Sequence, residues 1–476
     1  MFPYSGYMVL TLLPDRTTPD TVGVYAGFLA SSFMVGRFIT AYQWGRLADR
    51  YGRLLSLQTC LLGSAFFSIL FGVSQSMFQA LLWRFFLGMF NGLISLTKTM
   101  SNEVARGNEV WERRIMGLVV GMRSWGMLMA PAAGGFLAEP LAQYPQLAAW
   151  MQNEWLRSVL VIYPFLLPNL LVAVLCLLAS ASLYAFVEET LPEDHRDDIR
   201  NLPRHIQIAV SDRFGRCFRG IFGQRSSVEE RRHLISGETR EPKVHAASAD
   251  AIPTASPWQN VLTRQHMIAH WLFSFVSTYV DEAFPLFCMS TIGGLALQEA
   301  SIGQILSLAG FIFVILQYPS FSVFTHHCGL YPSLEIGCVF GTLLCAFIPF
   351  SLRFPSNGGA TIFLSAVLGI VKVMHSLFYT SMAVAINKTV ESRQRARMNS
   401  LILVGNSVSK ALGPLIAGFY VSFSFSRHAI VPAEYGSLSI WLAVPLLGFV
   451  ALIQIQRLHR QVRQKESIRD TMLIQI

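Results

Sequence analysis

Two long apolar runs, Thr21 to Gln43 and Leu54 to Val73, flank the dense charged segment Gly45-Arg46-Leu47-Ala48-Asp49-Arg50-Tyr51-Gly52-Arg53. At about 1.5 Å per helical residue, each run can cross the roughly 30 Å of hydrocarbon in a bilayer. A chain that crosses twice must reverse at the membrane surface. Gly45 and Gly52 are expected to give a turn of about ten residues its backbone freedom and close helix approach. Arg46, Arg50 and Arg53 put that turn on the cytoplasmic side by the positive-inside rule.

Composition extends this to the whole chain. Hydrophobic residues make up 53% and charged residues 14%, where soluble domains carry about 25% charge. The mean hydropathy is +0.45. The net charge of +9 does not point to nucleic acid, because the basic residues fall between spans and act as topology signals and lipid contacts. Seven cysteines, mostly inside apolar runs, show no disulfide or zinc spacing. His326-His327-Cys328 reads as a polar interfacial turn, since consecutive residues rarely converge on one ion. No metal or cofactor is expected. No Ser/His/Asp set or phosphate loop suggests an enzyme.

Further apolar runs fall at about 77–97, 115–137 and 159–187, then, after a polar stretch, at 267–290, 302–324, 334–352, 360–386, 398–422 and 438–455. With a first segment at Phe2–Leu13 this gives six spans, a long hydrophilic loop, and six more. The expectation is an all-α membrane protein: a six-helix bundle over 1–187, a cytoplasmic loop over 188–263, a second six-helix bundle over 264–456 and a basic cytoplasmic tail over 457–476. Arg106, Arg113 and Arg114, then Lys388, Arg393, Arg395 and Arg397, and the tail residues Arg457, Arg460 and Arg463 share one side. Both termini are therefore expected in the cytoplasm. Pro131-Ala132-Ala133-Gly134-Gly135-Phe136 and Pro414-Leu415-Ile416-Ala417-Gly418-Phe419 sit at equivalent places in the two halves, as in a duplicated transporter. The same offset carries the charged turn onto Cys328-Gly329-Leu330-Tyr331-Pro332, which lacks Asp and Arg. Arg204 to Phe222 has the spacing of a basic amphipathic helix on an anionic leaflet, with a solvated linker as the alternative.

Ionisable residues inside apolar spans are costly and therefore candidates for function. Arg84 lies in the fourth span, and a structural arginine bonded to carbonyls is the competing reading. Asp281 and Glu282 are adjacent carboxylates in the seventh; mutual repulsion and lost hydration make at least one a candidate proton carrier. Lys372, His375 and Lys410 are the cationic or titratable groups of that half, and a fixed Glu282–Lys pair is the alternative. Arg123 and the amides of Asn91, Asn169 and Asn406 can bind solute or simply join helices.

The Gly45–Arg53 segment matches nearly residue for residue the G-x-L-a-D-R-x-G-R motif of the major facilitator superfamily. Arg84 in Leu82-Trp83-Arg84-Phe85 resembles its second motif, where a buried arginine is implicated in proton coupling. Arg123-Ser124-Trp125-Gly126 with Ala130-Pro131-Ala132-Ala133-Gly134-Gly135 resembles the drug:proton antiporter motif. Phe2-Pro3-Tyr4, Trp44-Gly45-Arg46, Asn91-Gly92, Glu189-Thr190-Leu191, Glu282 with Pro285-Leu286, and Gly413-Pro414 are similar to the zinc-induced-facilitator-like and tetracycline-resistance-like branch. The resemblance implies twelve helices in two bundles and alternating access around a midplane cavity, exchanging a small organic solute or drug for protons. It implies gating by Gly45, Asp49, Arg50, Gly52, Arg53, Pro131, Gly135, Pro414 and Gly418, with Asp49 capping the start of the eleventh helix in the outward-facing state. It implies proton coupling through Arg84 and Glu282, with Asp281 and His375 as further titrating groups. Asn91, Arg123, Asn169, Lys372, Asn406 and Lys410 are the candidate solute ligands. A monomer in the plasma or vacuolar membrane is expected, with lipid, solute and protons as its partners.

Phe2 to Leu13 is shorter than a spanning helix and carries no acidic residue that could supply a coupling group. The reading set against a transporter is a non-transporting membrane solute sensor or an inactive, truncated relic.

Overall fold

The computed structural model describes residues 4–104, 115, 122, 125–126, 128–146, 153–191, 260–389, 395–426, 432 and 435–474. Among these residues the chain is helical, without a strand. The first half contains α1 (Ser5–Leu12), α2 (Gly23–Tyr51), α3 (Arg53–Gly72), α4 (Met77–Met89), α5 (Leu93–Val104), α6 (Leu128–Leu137), α7 (Glu154–Ile162) and α8 (Leu166–Phe186). The second contains α9 (Val261–Met289), α10 (Glu299–His327), α11 (Leu330–Leu343, continued by a 3₁₀ stretch Leu344–Arg353), α12 (Asn357–Asn387), α13 (Arg395–Ser424) and α14 (Gly436–Ile474). Among the described residues, eight helices are long and apolar enough to cross a membrane, and α4 and Leu128–Leu137 are apolar but shorter. In the first half α2 packs on α4 and α3 on α8. In the second, α10 and α11 pack on α12, and α9 on α14.

The charged turn is much tighter than the ten-residue loop read from sequence. Leu47, Ala48 and Arg50 are good helix formers, so α2 continues through Tyr51 and the chain reverses at Gly52 alone, with φ +113°. Gly45 lies inside α2, and a Cβ there would meet nothing within 4 Å. It therefore serves neither the reversal nor a close helix contact, which corrects the role expected for it.

The fourth and sixth spans are interrupted. α4 and α5 are separated at Phe90, Asn91 and Gly92. The Met89 carbonyl accepts from Trp44 Nε1 at 2.6 Å and Thr40 Oγ1 at 2.7 Å. Backbone polar groups must be satisfied at membrane depth, and α2 supplies those donors. The run expected over 159–187 breaks between Ile162 and Leu166, around Pro164, which has no N–H to continue a helix. The tail expected from 457 continues α14 as helix to Ile474. The segment Arg204 to Phe222 lies outside the described residues.

The two halves meet along α2 with α13 and along α6 with α10. A Cβ on Gly27 would lie 2.6 Å from the Pro414 carbonyl, and one on Gly418 would strike the Gly23 carbonyl. In the other seam a Cβ on Gly135 would lie 2.7 Å from the Glu299 carbonyl, and one on Gly303 3.0 Å from that of Pro131. Pro131 and Gly135, like Pro414 and Gly418, thus press backbone on backbone against the opposite half. Ser422 Oγ donates to the Thr21 carbonyl at 3.0 Å and accepts from Val24 N at 3.2 Å. These contacts lie away from Gly52. Beside them sits a buried apolar cluster that includes Tyr4, Met8, Ala26, Leu29, Phe165, Val276 and Tyr279.

Candidate functional site

α4 delivers Arg84 into the interior, where it is 9% exposed. Its guanidinium lies over the rings of Phe33 at 5.1 Å and Phe71 at 5.3 Å. Such cation–π contacts contribute about 0.5–2 kcal/mol each when desolvated. α9 delivers Glu282 from the other half, 5% exposed. One buried ionisable group thus comes from each half.

Adjacent residues on a helix point about 100° apart, and this separates the two carboxylates. Asp281 turns to α12 and makes an ion pair with Lys372. The fixed acid–lysine pair weighed for Glu282 is made by Asp281 instead, which leaves Glu282 at the interface. His375 is 3% exposed and lies inside the second bundle. Its Nε2 meets the Gly341 carbonyl at 3.1 Å and its Nδ1 meets Ser277 Oγ at 3.1 Å. The carbonyl can only accept, so the proton sits on Nε2 and Ser277 donates to Nδ1. Edge-on packing against Phe273 at 5.1 Å completes a bonded core imidazole.

The candidate solute ligands divide. Asn169 is fully buried within the first bundle, donating to the Phe165 carbonyl at 2.8 Å and receiving Ser68 Oγ at its own carbonyl at 3.0 Å. The first bond is local to the start of α8, and the second, to the Asn169 backbone, joins α8 to α3. Asn406 Nδ2 donates to His270 Nε2 at 3.0 Å, and Lys410 stands one helical turn along α13 from Asn406. Among the described residues His270 Nδ1 and Asn406 Oδ1 are buried atoms without a hydrogen-bond partner, so this corner of α9 and α13 holds unused polar capacity. Asn91 is half-buried at the α4–α5 break. Arg123 lies outside the described residues.

At the Gly52 reversal, the Glu189 carboxylate accepts from Arg53 N and Leu54 N, each at 2.9 Å. It thereby caps α3 with an anion, which the positive end of the helix dipole favours. Arg53 is buried and reaches Glu103 at 2.8 Å, Asp49 at 3.1 Å and the Ala48 carbonyl at 2.9 Å. Thr190 Oγ1 donates to Glu103. Arg50 is exposed, and Asp49 is 68% exposed by side chain. Glu103 escaped the sequence reading because a polar helix end gives no sign of its distant partners. Far from Gly52, Glu139 takes a hydrogen bond from Thr11 Oγ1 at 3.1 Å, and burial pushes its carboxyl above the ordinary value. Among the described residues no group of three or more His, Cys, Asp or Glu could hold a metal.

The Major Facilitator Superfamily model matches residues 1–373. Zinc induced facilitator-like 1 of Arabidopsis thaliana is 28% identical over 459 residues, covering 94% of this chain and 86% of that protein. The multidrug transporter mfsB of Aspergillus fumigatus is 25% identical over 462 residues, covering 88% and 74%. Among solved structures, a bacterial homolog of the human lysosomal transporter Spinster superposes with a TM-score of 0.61 at 13% identity, covering 96% of this chain and 94% of that one. Fold, seam and sequence agree: this chain is a multi-pass membrane transporter that belongs to the Major Facilitator Superfamily.

Proposed function

We propose that the protein is a secondary active antiporter that exchanges a small organic solute for protons by alternating access. The observation that carries this reading is that each half buries one ionisable side chain in an apolar helix, Arg84 on α4 and Glu282 on α9, 9% and 5% exposed. Arg84 keeps its charge at accessible pH, so Glu282 must choose between that cation and a proton. A choice made across the interface changes the interaction between the halves, which is the differential free energy a conformational cycle needs. Asp281 is engaged with Lys372 and His375 with Ser277 and Gly341, so Glu282 is the better proton carrier. Asn406 and His270, with Lys410 one helical turn along α13, offer a polar corner for the solute.

The end carrying Gly52 faces the cytoplasm on the distribution of Lys and Arg, and the closed seam lies at the opposite end. On this reading the structure is inward-facing. The close contacts of α2 with α13, Gly23 with Gly418, Gly27 with Pro414 and Ser31 Oγ donating to the Ala411 carbonyl, lie in the half of α2 away from Gly52. Asp49, exposed here, would cap α13 only when that end closes. Pro131, Gly135, Pro414 and Gly418 would gate the far end, and Asp49, Arg50, Gly52 and Arg53 the near one. The protein works as a monomer in lipid, in the plasma or vacuolar membrane, with both termini in the cytoplasm.

The test is reconstitution into liposomes, with an imposed pH gradient and a panel of labelled organic cations, anions and zwitterions. Wild type should accumulate at least one solute against its gradient and lose this when the pH gradient collapses. Glu282→Gln should abolish pH-driven accumulation while still binding that solute. A normal pH profile in Glu282→Gln contradicts the assignment.

A further inference from the structure

Asp20 lies in the polar connection between α1 and α2, where an acid reads as an ordinary solvated loop residue. In the structure it is 6% exposed. Its carboxylate crosses the interface to the end of α9 in the other half. Oδ1 accepts from Ser290 Oγ, from Thr291 N at 2.9 Å and from Ile292 N at 3.1 Å, and Oδ2 accepts from Thr291 Oγ1 at 2.8 Å. The receiving segment is held in shape. Ala296 N donates to the Ser290 carbonyl at 3.0 Å, Leu297 N to the Cys288 carbonyl at 2.9 Å, and Tyr7 of α1 donates to the Leu297 carbonyl. Two backbone N–H groups just past the end of α9, those of Thr291 and Ile292, thus take their acceptor from the other half.

We propose that Asp20 is the positioning residue that latches the far end of the transporter, holding α9 to the α1–α2 connection in this state and releasing it when the access pathway changes sides. The chemistry suits a bond that breaks in every cycle. Four donors compensate a carboxylate withdrawn from water, and water restores the lost bonds when the seam parts. The net preference for closure is therefore small beside the gross number of bonds. The glycine contacts of α2 with α13 shape the seam, while the Asp20 clasp tips the balance between its states. This inference rests on the alternating-access reading.

The test uses a native reporter in the full-length protein in membranes. Cys288 is fully buried two residues before Ser290, and its carbonyl accepts from Leu297 N in the segment that Asp20 holds. A membrane-impermeant maleimide is applied from the face that carries Asp20, and modification is followed by peptide mass mapping. Asp20→Ala should raise the Cys288 labelling rate on the order of tenfold, as a population shift toward the parted seam would. Cys345, buried inside the second half, should stay unlabelled. A wild-type rate at Cys288, or Cys288 and Cys345 labelling together, overturns the latch. Should Asp20→Ala not reach the membrane, Thr291→Val removes one of the four bonds and keeps the backbone donors. A raised Cys288 rate in that variant supports the latch, and an unchanged rate overturns it. The readout involves no solute. Altered labelling without solute flux in any form of the protein would leave the latch standing and sink the antiporter reading; flux without altered labelling would do the reverse.

Discussion

The reversal at Gly52 in the first half and its counterpart at Gly329 in the second solve one backbone problem with different side-chain chemistry. Gly52 alone joins α2 to α3, and Cys328 with Gly329 joins α10 to α11; both glycines have positive φ, +113° and +90°. Around Gly52 the partners are charged: Glu189 caps α3, and Arg53 gathers Asp49 and Glu103. Around Gly329 they are aromatic and imidazole groups. Tyr331 Oη meets His266 Nε2 at 3.1 Å, its ring stacks on His459 at 5.4 Å, and His459 Nδ1 lies 2.7 Å from Glu335. The backbone requirement comes from the helix hairpin, so both halves share it. The side chains are free to differ, and one half fixes its membrane-surface end with carboxylates around a guanidinium and a helix start while the other uses an aromatic and imidazole stack.

The largest expected contrast is between the two glycines. A Cβ on Gly52 would strike the Glu189 carboxylate, whereas one on Gly329 would meet only Pro332 Cδ at 3.9 Å. Gly52→Ala should destabilise the detergent-solubilised protein by roughly 2–3 kcal/mol, from strain plus the displaced cap. Gly329→Ala should cost about 1–2 kcal/mol from backbone strain alone. Equal losses in thermal unfolding would mean that the Glu189 cap contributes nothing. Next, Glu189→Gln should cost about 1 kcal/mol. The smallest change, Tyr331→Phe, should cost roughly 0.5–1.5 kcal/mol through its bond to His266. His459→Gln removes both the 2.7 Å contact with Glu335 and the stack on Tyr331, and it too should cost roughly 0.5–1.5 kcal/mol. Unchanged thermal unfolding in both variants would mean that the groups around Gly329 contribute nothing to that end.

Apolar run length made most of the spans legible, because membrane thickness dictates it. The Pro–Gly segments after Pro131 and Pro414 were legible as paired features, since small residues let backbones approach, and the structure puts both at the seam. What escaped depends on distant partners or on small departures from helix. Gly45 looked like Gly52, but only the local φ separates a turn glycine from a helical one. The break at Phe90–Gly92 interrupts an unbroken apolar run, and its carbonyl is satisfied from α2. Asp281 and Glu282 were indistinguishable by burial cost, and helical geometry decided which one faced Lys372. Asp20 gave no signal, because its four donors lie some 270 residues away in sequence.

The account turns on the two ends of the interface moving in opposition under the control of Glu282. Spin labels at positions 38 on α2 and 404 on α13, both exposed, report the Gly52 end of the seam directly. Interspin distances in liposomes should show two populations whose ratio changes with pH, and Glu282→Gln should hold that ratio constant. A single distance, or a pH-dependent ratio that survives Glu282→Gln, would contradict the account.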